Sequence, residues 1–240
     1  MARSELVEFY EKIFGQEEAA AQGSFVPNEA SAAERRAWAK LHGFIWTDHN
    51  ILTARNKRAS EEAFACDCHD VQPQNPGMLY ECAKGARCLN RRLQSLAEDP
   101  QSGVDLEIFD TGGARGWGVR PRRDLYEGEL IIEYVGRVLH KVPTCHCCHY
   151  LMRADDVFVD AAKYGNTARF INHSCSPSAK VEVWKIPTLD GLSLRTAVGI
   201  FALRAVQAGE ELTYDYKFQC FDDAVPTPCL CGASLCRGKL

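Results

Sequence analysis

No stretch of about 18 consecutive apolar residues occurs in this chain, so a membrane-spanning helix is not expected. The opening, Met1 to Gly15, carries Glu5, Glu8 and Glu11 where a secretory signal would be basic and then apolar. Together these absences predict a soluble, intracellular protein with no membrane partner. An excess of basic charge is missing as well. The net charge is −4, whereas strong phosphate binding needs clustered Lys and Arg; a mildly acidic surface suits a basic substrate instead. No internal repeat or low-complexity tract is visible, which argues against solenoids and arrays. With 240 residues, 46% of them hydrophobic, the chain can fill one main core with small satellites but not two full domains.

What the chain does have is cysteine, twelve in all. A secreted protein would spend these on disulfides; the missing signal and the tight Cys-x-Cys spacings favour thiolates on a metal, with zinc expected. Residues 1–60 read as a helical lead-in. Leu6, Phe9, Tyr10, Ile13 and Phe14 fit a short amphipathic helix on a solvated segment, 22–31 reads as a loop, and 32–41 as helical again. Residues 61–99 are rich in Pro, Asn and Gly between Cys66 and Cys88, too polar for a core of their own, so a metal must supply what burial cannot. From Val104 onward, short apolar or alternating runs at 104–109, 118–120, 130–135, 157–160, 181–184, 197–203 and 211–214 alternate with Gly, Pro and Asp turns, predicting a mostly β body with few, short helices.

Four segments carry chemistry. Gly116-Trp117-Gly118, after Gly112 and Gly113, lets backbone approach a ligand closely beside an indole. Arg169 to Pro177 packs an amide, an imidazole and a thiol into one run following a strand, as a binding loop would. Tyr214 and Tyr216 sit two apart on a predicted strand, which puts both phenols on one face. Cys229, Cys231 and Cys236 give three thiolates where tetrahedral zinc wants four, and Cys175 is the natural fourth. Glu133, Glu210 and Asp215 read as salt-bridge or turn residues rather than acid/base groups.

Taken in order, Gly-Trp-Gly-Val at 116–119, Glu-Tyr-Val-Gly at 133–136, Arg-Phe-Ile-Asn-His-Ser-Cys at 169–175, Glu-Leu-Thr-Tyr-Asp-Tyr at 211–216 and the Cys229 to Cys236 array resemble the SET-domain lysine methyltransferases with a post-SET tail. Upstream, Cys66-Asp-Cys68 and Cys82-x5-Cys88 are similar to the AWS zinc module of that family, with four cysteines where about seven are usual. The resemblance implies a SET fold of the β-clip kind, several small sheets with a pseudoknot, over 104–217. It implies flanking zinc modules at 61–99 and 218–240.

The same resemblance implies transfer of a methyl group from S-adenosylmethionine to a lysine, with a histone tail or nucleosome as the expected substrate. Tyr216, Tyr214 and Tyr150 are implied as the catalytic channel. Arg115, Gly116, Trp117, His149, Tyr150, Arg169, Asn172, His173 and Leu230 are implied as cofactor contacts. One zinc falls to Cys175, Cys229, Cys231 and Cys236, and a second to Cys66, Cys68, Cys82 and Cys88. Tyr214 stands at the family's phenylalanine/tyrosine switch, implying mono- or dimethylation. Nuclear, chromosomal location and chromatin-complex partners follow as expectations. Lysine 36 and lysine 4 of histone H3 both remain open, as do direct DNA contact, a non-histone substrate and a silent module that only binds tails. Only thirteen residues separate Gly136 from Tyr150, a departure from the family's longer insert, and Cys145, His146, Cys147, Cys148 and His149 within it read either as free thiols or as a further metal site.

Overall fold

The computed structural model describes residues 24–52, 79–82, 90–141, 150–188, 193–216 and 227–240. The helix among Leu6 to Phe14 expected from sequence lies outside them, as does the Cys145 to His149 cluster.

Helix α1 (Ala32–Leu41) begins where Ser31 caps it: the Ser31 hydroxyl accepts from Glu34 N–H at 3.3 Å, and Glu34 Oε2 accepts from Ser31 N–H at 2.6 Å. Its inward face carries Trp38 and Ala39, both fully buried. Here the structure corrects the reading of residues 1–60 as a lead-in. The described part, 24–52, belongs to the main core. Trp38 stacks on Phe25 at 4.7 Å and on His42 at 3.8 Å, and meets Phe170 and Trp117 edge-on at 5.3 and 5.8 Å. The expected loop at 22–31 also contains strand β1 (Ser24–Phe25), which pairs antiparallel with β4 (Leu106–Asp110); β5 (Trp117–Pro121) closes this sheet. In β4 the buried Leu106 and Ile108 alternate with half-buried Glu107 and Phe109, the period-two pattern that suggested a strand.

A second sheet runs β12 (Ala179–Pro187), β13 (Leu194–Ala202), β6 (Leu130–Glu133), all antiparallel. The third runs β3 (Ile51–Leu52), β7 (Arg137–Leu139), β9 (Val157–Asp160), β8 (Leu151–Ala154). Strand β2 (Ile45–Trp46) pairs parallel with β10 (Tyr164–Gly165). The fifth pairing, β11 (Asn172–His173) parallel to β14 (Thr213–Tyr214), joins segments forty residues apart. Helix α2 (Arg92–Glu98) packs on β6, with Glu81 accepting from the N–H groups of Leu93 and Gln94 at 2.5 and 2.9 Å. Besides β1, the strands β2, β3, β7, β8, β10 and β11 were not expected; all are two to four residues long and carry no alternation to read. The Arg169–Pro177 run, expected to follow a strand, is preceded by β10 and opens within a 3-10 turn over Thr167–Phe170 with Asn166 as its cap.

Two turns are built alike, a local repeat that the sequence reading did not find. Arg123 bonds Glu129 at 2.5 Å around Gly128, and Arg204 bonds Glu210 at 2.5 Å around Gly209; both glycines take positive φ, 76° and 82°. The same carboxylates cap Tyr126 N–H and Gln207 N–H. Leu125 and Val206 bridge the two turns, each donating to the other's carbonyl.

Candidate functional site

The parallel pairing of β11 with β14 draws the binding-loop residues and the two tyrosines together. Asn172 lies beside Thr213 and His173 beside Tyr214 in register. Tyr214 and Tyr216 fall on one side, ring centroids 4.8 Å apart, as their spacing requires. Tyr216 lies 5.4 Å from the His173 ring, and its hydroxyl donates to Ile171 C=O at 2.8 Å. Tyr134, just beyond β6, donates to Tyr150 C=O at 2.8 Å. Four phenols, Tyr134, Tyr150, Tyr214 and Tyr216, thus gather in one place. Tyr150 is half-exposed and the other three are largely enclosed. Burial first, then the neighbouring phenols, hold Tyr134, Tyr214 and Tyr216 well above the ordinary phenol value. They stay protonated at neutral pH and act through hydrogen bonds, not as phenolates.

On the adjoining side, Gly116 adopts φ +68° at the start of β5, and nothing stands within 4 Å of where a Cβ would be, so the backbone there is open to a ligand. Glu211 ties this segment to β11: it accepts from Arg115 at 2.8 Å and from Asn172 Nδ2 at 2.9 Å, while Asn172 also donates to Trp117 C=O at 3.0 Å. Arg115, Trp117 and Asn172 are therefore brought together, through a carboxylate that sequence reading overlooked although it opens the Glu-Leu-Thr-Tyr motif. Tyr134 was overlooked in the same way, inside the Glu-Tyr-Val-Gly motif. Arg169, expected from sequence as a cofactor contact, is buried against protein groups. Its guanidinium donates to the carbonyls of Ala161 and Ala162 and lies between the rings of Phe44 and Tyr150, 4.2 Å from each centroid.

His173 is buried. Its Nδ1 accepts from Tyr216 N–H at 3.2 Å, which leaves the proton on Nε2, 3.4 Å from Cys175 Sγ. Asp215 Oδ1 stands 3.7 Å from the same Nδ1, so its described contacts are with Tyr216, Asp215 and Cys175. Cys175, Cys229, Cys231 and Cys236 place all four sulfurs within 4.8 Å of one another. Tetrahedral zinc with bonds of about 2.3 Å needs sulfurs roughly 3.8 Å apart, and Cys175 and Cys229 stand at 3.8 Å. Backbone N–H groups of Arg237 and Gly238 point at Cys175 and Cys236 at 3.4 and 3.3 Å, the kind of support that thiolate ligands receive. Burial opposes ionisation of Cys231, but backbone donors and its neighbours Cys229 and Cys236 outweigh it and bring the thiol down to about 6. Burial, then Cys231, Cys236 and Cys175 beside it, push Cys229 up to about 12. Four thiolates cannot share so small a volume without a cation among them, so the donor set fits a metal. Arg237 adds a bidentate pair to Asp215 at 2.7 and 2.9 Å, next to Tyr216. Leu230 is exposed on this tail.

A family profile described as SET domain matches residues 116–217. The chain carries a SET domain. It is homologous to histone-lysine N-methyltransferases: 35% identical over 210 residues to ash1 of Drosophila melanogaster, covering 83% of this chain and 9% of that protein. It is 33% identical over 182 residues to the human histone-lysine N-methyltransferase, H3 lysine-36 specific, covering 71% and 6%. The chain thus spans under a tenth of the length of either relative. The SET domain's fold is shared with the methyltransferase domain of human SETMAR, TM-score 0.60 at 23% identity, covering 82% of this chain and 88% of that one. It is shared also with KRYPTONITE in complex with mCHH DNA, H3(1–15) peptide and SAH, TM-score 0.62 at 24% identity, covering 82% and 48%. Of the expected site residues, His149, Cys66, Cys68 and Cys88 lie outside the described residues; Cys82 is described, half-buried, with Asn90 Nδ2 at 3.9 Å.

Proposed function

We propose that this chain transfers a methyl group from S-adenosylmethionine to a lysine of a histone, and specifically to lysine 36 of histone H3. The observation that carries the reading is the convergence of four phenols beside the β11–β14 pair, with the open Gly116 backbone, Asn172 and Trp117 on the adjoining side. A narrow phenol-lined channel suits an alkyl amine, and a cradle with an exposed backbone suits the amino-acid end of the cofactor. The lysine-36 specificity of the human relative supports lysine 36 over lysine 4, and the complex of KRYPTONITE with SAH and an H3 peptide supports the cofactor and substrate classes.

When bound, S-adenosylmethionine supplies an electrophilic methyl on a positively charged sulfur. The chain's own work is to present an uncharged amine in line with it. Free lysine has a pKa near 10.4, so neutralising it at pH 7 costs roughly 4.6 kcal/mol. Burial among protonated phenols disfavours the ammonium form and meets part of that cost. Tyr216, its hydroxyl fixed by Ile171 C=O, keeps oxygen lone pairs for an amine N–H and so orients the nitrogen. Tyr214 takes up channel volume and restrains rotation of a methylated amine, which favours mono- and dimethylation. Arg115, Gly116, Trp117 and Asn172 would hold the cofactor. Zinc on the four clustered cysteines would fix the tail that carries Leu230, and Cys82 would ligate a second zinc with Cys66, Cys68 and Cys88. A nuclear location and chromatin-complex partners accompany this reading.

Radiolabelled S-adenosylmethionine with recombinant nucleosomes, wild type beside Tyr216→Phe, followed by mapping of the labelled lysine, tests it. Label on H3 lysine 36 that Tyr216→Phe lowers at least tenfold is the expected result. Donor binding without transfer to any lysine would instead leave a silent tail-binding module.

A further inference from the structure

Arg169 is the one residue near the channel whose placement the proposed chemistry leaves unused. It is buried, with 8% of its surface exposed. Among the described residues no carboxylate forms an ion pair with it; its guanidinium is held by the carbonyls of Ala161 and Ala162, by a hydrogen bond to the Tyr150 side chain and by the faces of Phe44, Tyr150 and Phe170. A buried cation without a counter-ion is expensive. The nearby carboxylates are engaged elsewhere: Asp160 with Arg137, Glu211 with Arg115 and Asn172. Its positive charge therefore stands unneutralised behind the Tyr150 ring, and the phenol of Tyr134 across the channel feels it, as does His42 at the end of α1.

We propose that Arg169 is a fixed cation behind the channel wall whose field favours the uncharged form of an incoming lysine amine, with Phe44 as the positioning residue that holds it there. This rests on the proposed lysine-methyl transfer. An amine packed on the open face of Tyr150 would lie roughly 8 Å from the guanidinium, one ring thickness beyond a 4.2 Å stack. At the effective dielectric of a protein surface, like charges at that range shift a pKa by roughly one unit. The direction is downward for an ammonium beside a cation. No covalent step is added: the amine gives its proton to solvent at the half-exposed mouth by Tyr150 before transfer.

The test is the pH dependence of kcat, at saturating peptide and donor, for methylation of a histone H3 peptide, because kcat reports the ionisation of the bound amine. The titratable and charged groups around the channel are Tyr134 beyond β6, Tyr150 ahead of β8, Tyr214 on β14, Tyr216 and Asp215 beyond it, His173 on β11, Asp160 on β9 with its partner Arg137 on β7, Glu211 ahead of β14 and His42. Tyr134, Tyr214 and Tyr216 titrate above the window and His42, by burial, below its ordinary value. An acid limb between pH 7 and 10 that persists in Tyr150→Phe then belongs to the lysine. Arg169→Gln is expected to move this limb up by about one pH unit, Arg169→Lys to return it toward wild type, and Phe44→Leu to shift it by less than Arg169→Gln does, with calorimetric affinity for S-adenosylhomocysteine within threefold in all three. A limb that stays in place in a folded, donor-binding Arg169→Gln protein overturns the proposal. Should that variant not fold, the wild-type protein decides: a histone peptide carrying 13Cε-lysine, bound with neutral S-adenosylhomocysteine, is expected to titrate at least one unit below free lysine. An unshifted amine overturns the proposal. A wild type that labels no lysine at all sinks the methyltransferase reading itself, a separate outcome.

Discussion

Replacing Trp38 tests whether residues 24–52 are part of the catalytic body. The side chain is 1% exposed and touches rings from three other parts of the chain: Phe25 on β1, Trp117 on β5 and Phe170 in the 3-10 turn. Truncating a buried Trp to Ala costs about 3–5 kcal/mol. For a chain of this size each kcal/mol lowers Tm by about 2–4 °C, so Trp38→Ala should lose roughly 6–20 °C. Trp38→Phe should lose far less, because the indole Nε1 is buried without a partner among the described residues and its removal relieves an unsatisfied donor. Because Trp38 packs edge-on against Trp117, the alanine variant should also bind S-adenosylmethionine at least threefold more weakly at a temperature where it is still folded. Calorimetric unfolding with titration calorimetry of the donor measures both. A Tm loss under about 2 °C, or a 53–240 fragment as stable as the whole chain, would refute the argument that this segment belongs to the core.

Glu211→Gln should weaken donor affinity roughly fivefold, about 1 kcal/mol, by unpairing Arg115 while an amide still reaches Asn172; calorimetry reads it, and an unchanged Kd would deny the clamp. Chelation, or Cys236→Ser, should release one zinc equivalent to a chromogenic dye and increase hydrogen exchange across 227–240; a metal-free preparation with full protection there would count against a zinc-held tail. Tyr214→Phe should raise the mean methyl number of a peptide product by mass spectrometry, and no rise would remove Tyr214 from the channel argument. Hydrogen bonds from Arg120, Arg123 and Arg204 hold Glu107, Glu129 and Glu210 below their ordinary carboxylate values. Their stabilisation is complete above the unfolded value of about 4.3 and is lost as pH falls through the lowered folded values. Tm should therefore drop below about pH 5, and less steeply when Glu129 and Glu210 are both Gln; identical slopes would show the pairs to be idle.

Strands with alternation were legible. Strand β9 occupies 157–160 as read, β4 and β5 fall within two residues, and α1 fills 32–41 as read. The six short strands were not, because two to four residues carry no period, and their partners are chosen by long-range packing. The thiol cluster was legible because its tail array was one ligand short and Cys175 sat in a loop bound for the same place. Glu211 and Tyr134 stood in plain view inside recognised motifs; what hid them was that a carboxylate's partners, here Arg115 and Asn172, are set by the fold. The role of 24–52 was hidden for a related reason. Phe25, Trp38 and Phe44 are spaced too irregularly to announce a common face, and only the folded chain stacks them.

The twin turns at 123–129 and 204–210 have a consequence for how the chain could be rebuilt. Each carries its own clasp, Arg to Glu around a glycine, and Leu125 and Val206 lie in mirrored positions where they meet. Such corners are interchangeable parts: exchanging the two seven-residue stretches should leave both ends of the joint closed, since each brings the same fastening to the other's socket.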